Sequence, residues 1–412
     1  MLSKLAQRNL AFYFSAMIAL HGYVLWQARQ SIMEGRPDFS IFYAAGKILR
    51  DGNRKRLYDD ALQGSVQRTF SPRAFENRGV LPYNHPPFEA LLFVPLAHVS
   101  YRAAYAIWFL INLVFLFFSL CLLRSNLSRL GKTPLHLWVL GCLGFFPIFM
   151  ALIQGQDSIL LLFLYCLAFR GLRRNRESSA GSWLGLGLYK YHLVVPFVLP
   201  LFRRRKLIAG FMQVALILGL VSLAMIGWHS LLRYPSYVWS TEDRSKYAWN
   251  YLPGITANLR GLSSAVIPVT RPQLNIVVMF LASAIVLILM MYARQKAHVS
   301  NSECRKALFA FCLVGTVLLS YHIYVHDLSL LFLANVLVLE LLLSNPPISN
   351  WTRAILYVSI GVLSCSPLYI VLTLRYRKLQ VVACVLLIVF TTLLSLIRSL
   401  PMEVDGTASP QA

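Results

Sequence analysis

Acidic side chains are scarce in this sequence, and their positions raise the first chemical question. Only 16 Asp and Glu residues occur among 412. Four of them lie within or at the ends of apolar runs: Glu89, Asp157, Asp327 and Glu340. An unpaired charge inside hydrocarbon is costly, so these four are candidates for a functional site. A fifth acid, Asp38, directly precedes the amphipathic stretch FSIFYAAGKILR, where a carboxylate can cap a helix or act as a base.

The composition is that of a membrane protein. The chain is 57% hydrophobic and 13% charged, whereas a soluble domain carries about 25% charged residues. Its formal net charge of +23 comes from Lys and Arg in short clusters between apolar runs. Such clusters are typical of cytoplasmic loops beside anionic lipid, so we expect membrane lipids and no nucleic acid as partners. An all-α polytopic membrane protein is predicted.

The apolar runs predict about ten to twelve transmembrane helices, each long run having the roughly 20 residues that cross a bilayer. The long runs lie near 9–28, 102–124, 134–153, 206–228, 273–293, 352–373 and 379–399, and shorter ones at 156–170, 306–321 and 327–343. Segments 86–99 and 180–201 are ambiguous, because the first is short and holds three prolines and the second carries Lys190. If both segments re-enter, more basic clusters lie in the cytoplasm, as the positive-inside rule favours.

The chain is predicted to form a single integral-membrane domain. It covers residues 1–401, and a disordered polar tail follows at 402–412. Two long loops, 29–85 and 229–272, fall on the external side when both termini are cytoplasmic. We see no internal repeat of the kind found in many secondary transporters.

The first external loop contains the amphipathic stretch that follows Asp38. Apolar positions from Phe39 onward recur with helical spacing, while Lys47 and Arg50 supply a polar side. This pattern predicts a helix that lies in the interface plane. Locally, Asp38 is as well suited to capping this helix as to catalysis.

Several short motifs occur together in a recognisable order. They are PDFSIFYAAGKILRDG, YNHPPFEALLFVPLA, IQGQDSILLLFL, GLGLYKYHLVVPFVLPLFRRRK, NLRGLSS and SYHIYVHDLSLL. Over residues 10–345 the chain resembles glycosyltransferase family 87, membrane mannosyltransferases of the GT-C superfamily; it departs at Lys190-Tyr191, where members more often read Lys-Pro. The resemblance implies a GT-C-like bundle, a polyprenyl-phosphate-linked sugar donor, a lipid or glycan acceptor, inversion at the anomeric carbon and Asp38 as the catalytic base.

Other polar residues in these motifs are candidates for binding the donor phosphate or the sugar. They are His85, Gln156, Asp157, Lys190, Arg260, His326 and Asp327. Several have a plainer alternative: Asp327 as a helix cap, Lys190 as a partner of Asp157, Gln156 in a helix-joining turn, and Arg260 at a lipid headgroup.

No cofactor or metal is expected. His322 and His326 have the spacing of one helical face, but a third ligand is not evident.

The leading hypothesis is a glycosyltransferase of the bacterial cytoplasmic membrane, with its active site on the external side. A transporter or flippase of a lipid-linked or small polar substrate is the alternative, because carriers also have broken helices and charges at membrane depth. A carrier does not require the long, aromatic and charged loop at 29–85. A ligase or polymerase of surface polysaccharide would use the same kind of cavity.

Overall fold

The computed structural model describes residues 3–241, 253–268, 270–296 and 302–400. Within these ranges the chain forms helices and turns and no strand. The tail predicted to be disordered, 402–412, lies outside the described residues.

The α-helices are α1 (Lys4–Met33), α2 (Phe39–Arg50), α3 (Asp60–Phe70), α4 (Pro72–Arg78), α5 (Tyr101–Asn126), α6 (Leu135–Leu143), α7 (Phe146–Gln154), α8 (Ser158–Arg173), α9 (Glu177–Leu186), α10 (Tyr191–Val198), α11 (Arg205–Ile226), α12 (Trp228–Thr241), α13 (Leu259–Val266), α14 (Pro272–Lys296), α15 (Ser302–Leu319), α16 (Leu331–Leu343), α17 (Asn350–Leu363), α18 (Ser366–Ile370) and α19 (Gln380–Ser399). Short 3-10 helices lie at Arg54–Arg56, Pro87–Phe93, Leu96–His98, Leu130–Lys132, Gly187–Lys190, Leu199–Leu201, Pro253–Ile255 and Val325–Leu330, and a π-helix at Val371–Arg375.

Among the described residues, seven helical segments are long and apolar enough to cross a membrane. They are Lys4–Met33, Tyr101–Asn126, Glu177–Leu201, Arg205–Ile226, Pro272–Gln295, Val325–Leu343 and Gln380–Ser399. Two bent pairs raise the number to nine: α6 with α7, at 66°, and α17 with the segment Ser366–Arg375, at 58°. The prediction of an all-α polytopic membrane protein is therefore confirmed.

The two ambiguous segments differ in the structure. Segment 86–99 forms two 3-10 helices, Pro87–Phe93 and Leu96–His98, too short to span. Its prolines remove backbone donors and so oppose a regular α-helix. Segment 180–201 lies instead within the candidate span Glu177–Leu201, where a 3-10 turn at Gly187–Lys190 interrupts the helix.

Helix α2 confirms the helix predicted after Asp38, but its apolar side is covered by protein. Eight of its 12 residues are buried. Phe42 stacks on Phe93, with ring centroids 4.8 Å apart. At Gly46 a Cβ atom would come 2.5 Å from the Phe93 carbonyl oxygen, so the two backbones touch there. The prediction of a helix in the interface plane did not anticipate that protein covers the apolar face. Periodicity shows that a face is buried, but it does not show what buries it.

Glu340 has a structural role deep in the bundle. Its carboxylate accepts hydrogen bonds from the backbone N–H groups of Ser128 (2.8 Å), Arg129 (3.0 Å) and Leu130 (2.7 Å), and from the Ser128 hydroxyl (2.9 Å). This one buried acid therefore connects the segment that follows α5 to helix α16. The Lys306 ammonium lies 3.8 Å from the Glu340 carboxylate.

Candidate active site

The turn between α7 and α8 positions two amide side chains beside the start of α2. Gly155 adopts the left-handed conformation with φ 61°. A Cβ atom at this position would lie 2.7 Å from the Phe39 Cβ, so only glycine permits this approach. Two glutamines flank this glycine, Gln154 and Gln156. Because Gly155 packs against Phe39, both glutamines reach Asp38, the residue before Phe39.

Asp38 is held by those two glutamines. Its backbone N–H donates to Gln154 Oε1 at 3.1 Å, and its Oδ2 accepts from Gln156 Nε2 at 2.8 Å. The side chain makes no capping hydrogen bond to α2, so the helix-cap alternative is wrong. Asp38 is half-buried, and it lines a cavity that also contains polar groups from distant parts of the chain.

Arg78 supports the start of α2 and was not predicted from the sequence. Its Nη2 donates to the Ser40 hydroxyl at 2.9 Å and to the Gly35 carbonyl at 3.2 Å. The guanidinium also interacts electrostatically with the Asp38 carboxylate. The basic residues of the first loop gave no signal that singled out Arg78.

Lys190 joins three of the predicted residues. Its ammonium lies 3.0 Å from Asp157 Oδ1 and 2.8 Å from Asp327 Oδ1, and it donates to Gln156 Oε1 at 3.3 Å. The Lys190 side chain is 4% exposed. The pairing with Asp157 that the sequence left open is therefore present, and Asp327 is a second partner. Because the ammonium donates to Oε1 of Gln156, the amide nitrogen is directed at Asp38.

Asp327 caps a short helix, as one alternative predicted, and also contacts Lys190 and His326. Its Oδ1 accepts from the Ser158 hydroxyl at 2.9 Å as well as from Lys190. Its Oδ2 accepts from the Tyr324 N–H at 3.3 Å, which caps the short helix Val325–Leu330, and lies 3.4 Å from His326 Nε2. The carboxylate thus fixes the local backbone and orients an imidazole at the cavity.

A buried acidic group lies behind Lys190. Ligand-type atoms of His85, Glu89 and Asp157 all lie within 4.8 Å of one another, and His85 Nδ1 is 2.8 Å from Glu89 Oε2. Burial raises the pKa of Glu89 to about 7 and lowers the pKa of His85 to about 4. Glu89 therefore retains a proton near neutrality and shares a hydrogen bond with Asp157. A metal ion there would compete with the Lys190 ammonium for Asp157.

The cavity at Asp38 has an empty volume of about 740 Å³, which includes open solvent. Six residues predicted from the sequence line it: Asp38, His85, Gln156, Lys190, His326 and Asp327. Further polar and aromatic lining residues are Asn84, Tyr189, Tyr191, His192, Tyr321, His322 and Tyr324. The dense Tyr and His content of LYKYH and SYHIYVHD, inside apolar surroundings, was the signal that could have identified most of them.

Two predicted residues lie beside the cavity and do not line it. Asp157 is fully buried behind Lys190. Arg260 Nη1 donates to the Tyr321 carbonyl at 3.1 Å, so it adjoins the cavity wall. The helical spacing proposed for His322 and His326 is wrong, because His322 lies in the turn before the short helix Val325–Leu330.

The arrangement suits proton transfer and the binding of a polar substrate. Asp38 is a half-exposed carboxylate, oriented by a charge-anchored amide, and such a group can accept a proton from a hydroxyl. Imidazoles and phenol groups that line the same cavity can donate hydrogen bonds to sugar hydroxyls or to a phosphate.

Comparison with known proteins identifies the family. The model of glycosyltransferase family 87 matches residues 83–321, more than half of the chain. This match includes Gln156, Lys190 and Arg260, whereas Asp38 and Asp327 lie outside it. No curated protein and no solved structure matches the chain. The polytopic helical fold fits the GT-C superfamily, which the resemblance of the sequence motifs implied. The chain therefore belongs to glycosyltransferase family 87 and is a multi-pass membrane glycosyltransferase.

Proposed function

We propose that this enzyme transfers a hexose, specifically mannose, from a polyprenyl-phosphate donor to a hydroxyl of a lipid or glycan acceptor. The reaction takes place on the external side of a bacterial cytoplasmic membrane. Family membership favours an enzyme over the transporter or flippase that the sequence left open. The sugar and the lipid-phosphate donor rest on the resemblance of the motifs described above.

Asp38 is the proposed general base, and its contact with Gln156 is the observation that carries the proposal. The carboxylate is neither a helix cap nor part of an ion pair among the described residues. Its Oδ2 is held at 2.8 Å by an amide that Lys190 orients. Asp38 lines the cavity, where its carboxylate can accept a proton from an acceptor hydroxyl.

The reaction balances with these groups. The acceptor oxygen attacks the anomeric carbon as its proton passes to Asp38, and a new glycosidic bond forms. The bond between the anomeric carbon and the phosphate oxygen breaks, and its electron pair leaves with the polyprenyl phosphate. Attack from the side opposite the leaving group inverts the anomeric configuration.

The leaving phosphate requires donors or cations. Lys190 shares its charge between Asp157 and Asp327, so we assign it mainly to orienting Gln156. His326, which Asp327 orients, and Arg260, beside Tyr321, are the proposed contacts of the phosphate. His85, Gln156 and the tyrosines of the cavity are the proposed contacts of the sugar.

Purified protein tests the proposal when it is incubated with radiolabelled polyprenyl-phosphate mannose and a membrane extract. Transfer of label to an extractable lipid or glycan is expected, and a nucleotide-linked mannose should give none when polyprenyl phosphate is absent. Direct use of the nucleotide sugar would overturn the donor assignment. Transfer of a different hexose from the same carrier would overturn only the choice of mannose.

A further inference from the structure

His192 lines the cavity that contains Asp38, and the proposed chemistry gives it no role. It is the second residue of α10, which begins directly after the 3-10 turn Gly187–Lys190. The side chain is half-buried. An imidazole has two nitrogens with different hydrogen-bonding properties, so the partner of each nitrogen decides what the ring offers to a ligand.

The Ser320 hydroxyl determines the role of one ring nitrogen. It lies 2.8 Å from His192 Nδ1 and 2.9 Å from the His322 carbonyl oxygen. A hydroxyl has a single proton, and a carbonyl oxygen can only accept. If that proton pointed at Nδ1, two oxygens would face each other at 2.9 Å with no proton between them. The hydroxyl therefore donates to the carbonyl and accepts from the Nδ1–H of His192.

The second ring nitrogen is consequently an acceptor. No carboxylate among the described residues forms an ion pair with His192, and such an imidazole is mainly neutral near pH 7. With its one proton on Nδ1, the ring has a lone pair on Nε2. Within the described part of the chain Nε2 has no hydrogen-bond partner, and it is not one of the fully buried atoms that lack one. The lone pair is therefore accessible from the cavity that His192 lines.

Ser320 is itself held by a third part of the chain. It is 2% exposed, and its backbone carbonyl accepts from Asn258 Nδ2. Asn258 also caps α13 by accepting from the Gly261 N–H at 2.8 Å. Helix α13 carries Arg260, the proposed contact of the donor phosphate. The acceptor nitrogen and the phosphate contact thus share one support, and a group that is already fixed loses little entropy when a ligand binds.

The lone pair on Nε2 discriminates between the groups of a sugar phosphate. Phosphate oxygens are acceptors and offer it no proton, whereas sugar hydroxyls can donate to it. Three aromatic rings surround the imidazole, with centroids 5.9, 5.5 and 6.2 Å away, and they belong to Tyr191, Tyr321 and His322. Aromatic walls with a few oriented polar groups are typical of sites that bind small molecules.

We propose that His192 is a sugar-binding residue whose Nε2 accepts a hydrogen bond from one hydroxyl of the transferred hexose. The inference rests on the proposed function, because it takes a hexose linked to a lipid phosphate as the ligand. A sugar that lacks this hydroxyl leaves the lone pair without a donor, so the contact contributes to the selection of the sugar.

A binding measurement tests this contact without transfer. The parent probe is a C-mannosyl phosphonate ester with a short prenyl chain, which cannot release its sugar, and each of four deoxy derivatives lacks one sugar hydroxyl. Wild type is compared with His192→Phe, which removes the acceptor, and with His192→Gln, whose amide oxygen can take the place of Nε2. His136→Phe is the control, since His136 is exposed at the start of α6 and does not line the cavity.

Wild type is expected to bind one of the four derivatives about 5- to 10-fold more weakly than the parent probe, as loss of one hydrogen bond predicts. His192→Phe should bind the parent probe more weakly by a similar factor and lose nothing further with that derivative, because both changes remove the same contact. His192→Gln should regain part of the affinity, and His136→Phe should bind as wild type does.

Two results would separate the inference from the proposed function. Additive losses of affinity for His192→Phe with all four derivatives would overturn the inference alone. Failure of wild type to bind any of the probes would overturn the proposed donor and the inference with it. Nitrogen NMR of histidine-labelled wild-type protein needs no ligand and should show the proton of His192 on Nδ1. A proton on Nε2 instead would also overturn the inference.

Discussion

Asp38→Asn separates the catalytic role of this residue from every structural role. Asparagine has nearly the same shape, and its Oδ1 can still accept from Gln156 Nε2, now at 2.8 Å from the carboxylate. The backbone hydrogen bond to Gln154 is unaffected. The side chain makes no capping hydrogen bond to α2, so the substitution removes none from the helix.

The two expected effects differ greatly in size. Loss of a general base typically lowers a rate by about 10²- to 10⁴-fold, which corresponds to about 3–5 kcal/mol of activation free energy. The free energy of unfolding should fall by no more than about 1 kcal/mol, since one hydrogen bond becomes neutral. The melting temperature should therefore change by no more than about 4 °C.

The assay is transfer of label from polyprenyl-phosphate mannose at saturating donor, together with thermal unfolding of the same preparation. Asp51→Asn is the matched control, because Asp51 lies at the other end of α2, is exposed and pairs with Arg50. We expect kcat to collapse in Asp38→Asn with the donor KM nearly unchanged, and neither to change in Asp51→Asn. A kcat of Asp38→Asn close to that of wild type would refute the assignment of the base.

Three further substitutions test the surrounding polar network. Lys190→Met leaves Asp157 and Asp327 buried without their cation, so it should lower the free energy of unfolding by about 3–5 kcal/mol. Adding Asp327→Asn should recover part of the lost melting temperature. An undiminished melting temperature in the single variant would contradict this network. Burial raises the pKa of Glu89 from 4.5 to about 7, so the folded state binds the proton more strongly and stability should fall by up to about 1.4 kcal/mol per pH unit as pH rises across that window. Glu89→Gln should flatten the dependence of melting temperature on pH between those values, and an unchanged slope would show that the proton resides elsewhere. Glu340→Ala removes the acceptor of several buried N–H groups and should lower the free energy of unfolding by about 3 kcal/mol or more. The kcat per folded molecule should stay at the wild-type value. Loss of kcat without loss of stability would place Glu340 in the catalytic machinery.

Residues that share a local pattern were predicted well. The 3.6-residue period after Phe39 predicted α2, whose observed range is Phe39–Arg50. High hydropathy predicted the spanning helices, because the length of an apolar run and the thickness of the bilayer are directly related. The spacing rule for helices failed where the backbone is irregular. His322 lies in a turn and not on the helix that contains His326.

The order of short motifs also pointed to the family, and the family model confirmed it over residues 83–321. The sequence motifs could not distinguish a capping role of Asp38 from a catalytic one, because both roles need an acid before a helix. That distinction depends on Gln156, which is 118 positions away in the chain. The partners of Lys190 were equally undecided, since Asp327 is 137 positions away.

The sequence by itself determined that the chain is a helical membrane protein and which polar residues are too costly to be incidental. Only the tertiary structure decided which of those residues meet, which face of α2 is covered by protein and which cations remain for a ligand. The physical reason is that periodicity and hydropathy report the local backbone and the need for burial. A polar site, in contrast, is formed by helices distant in sequence whose buried charges must satisfy one another.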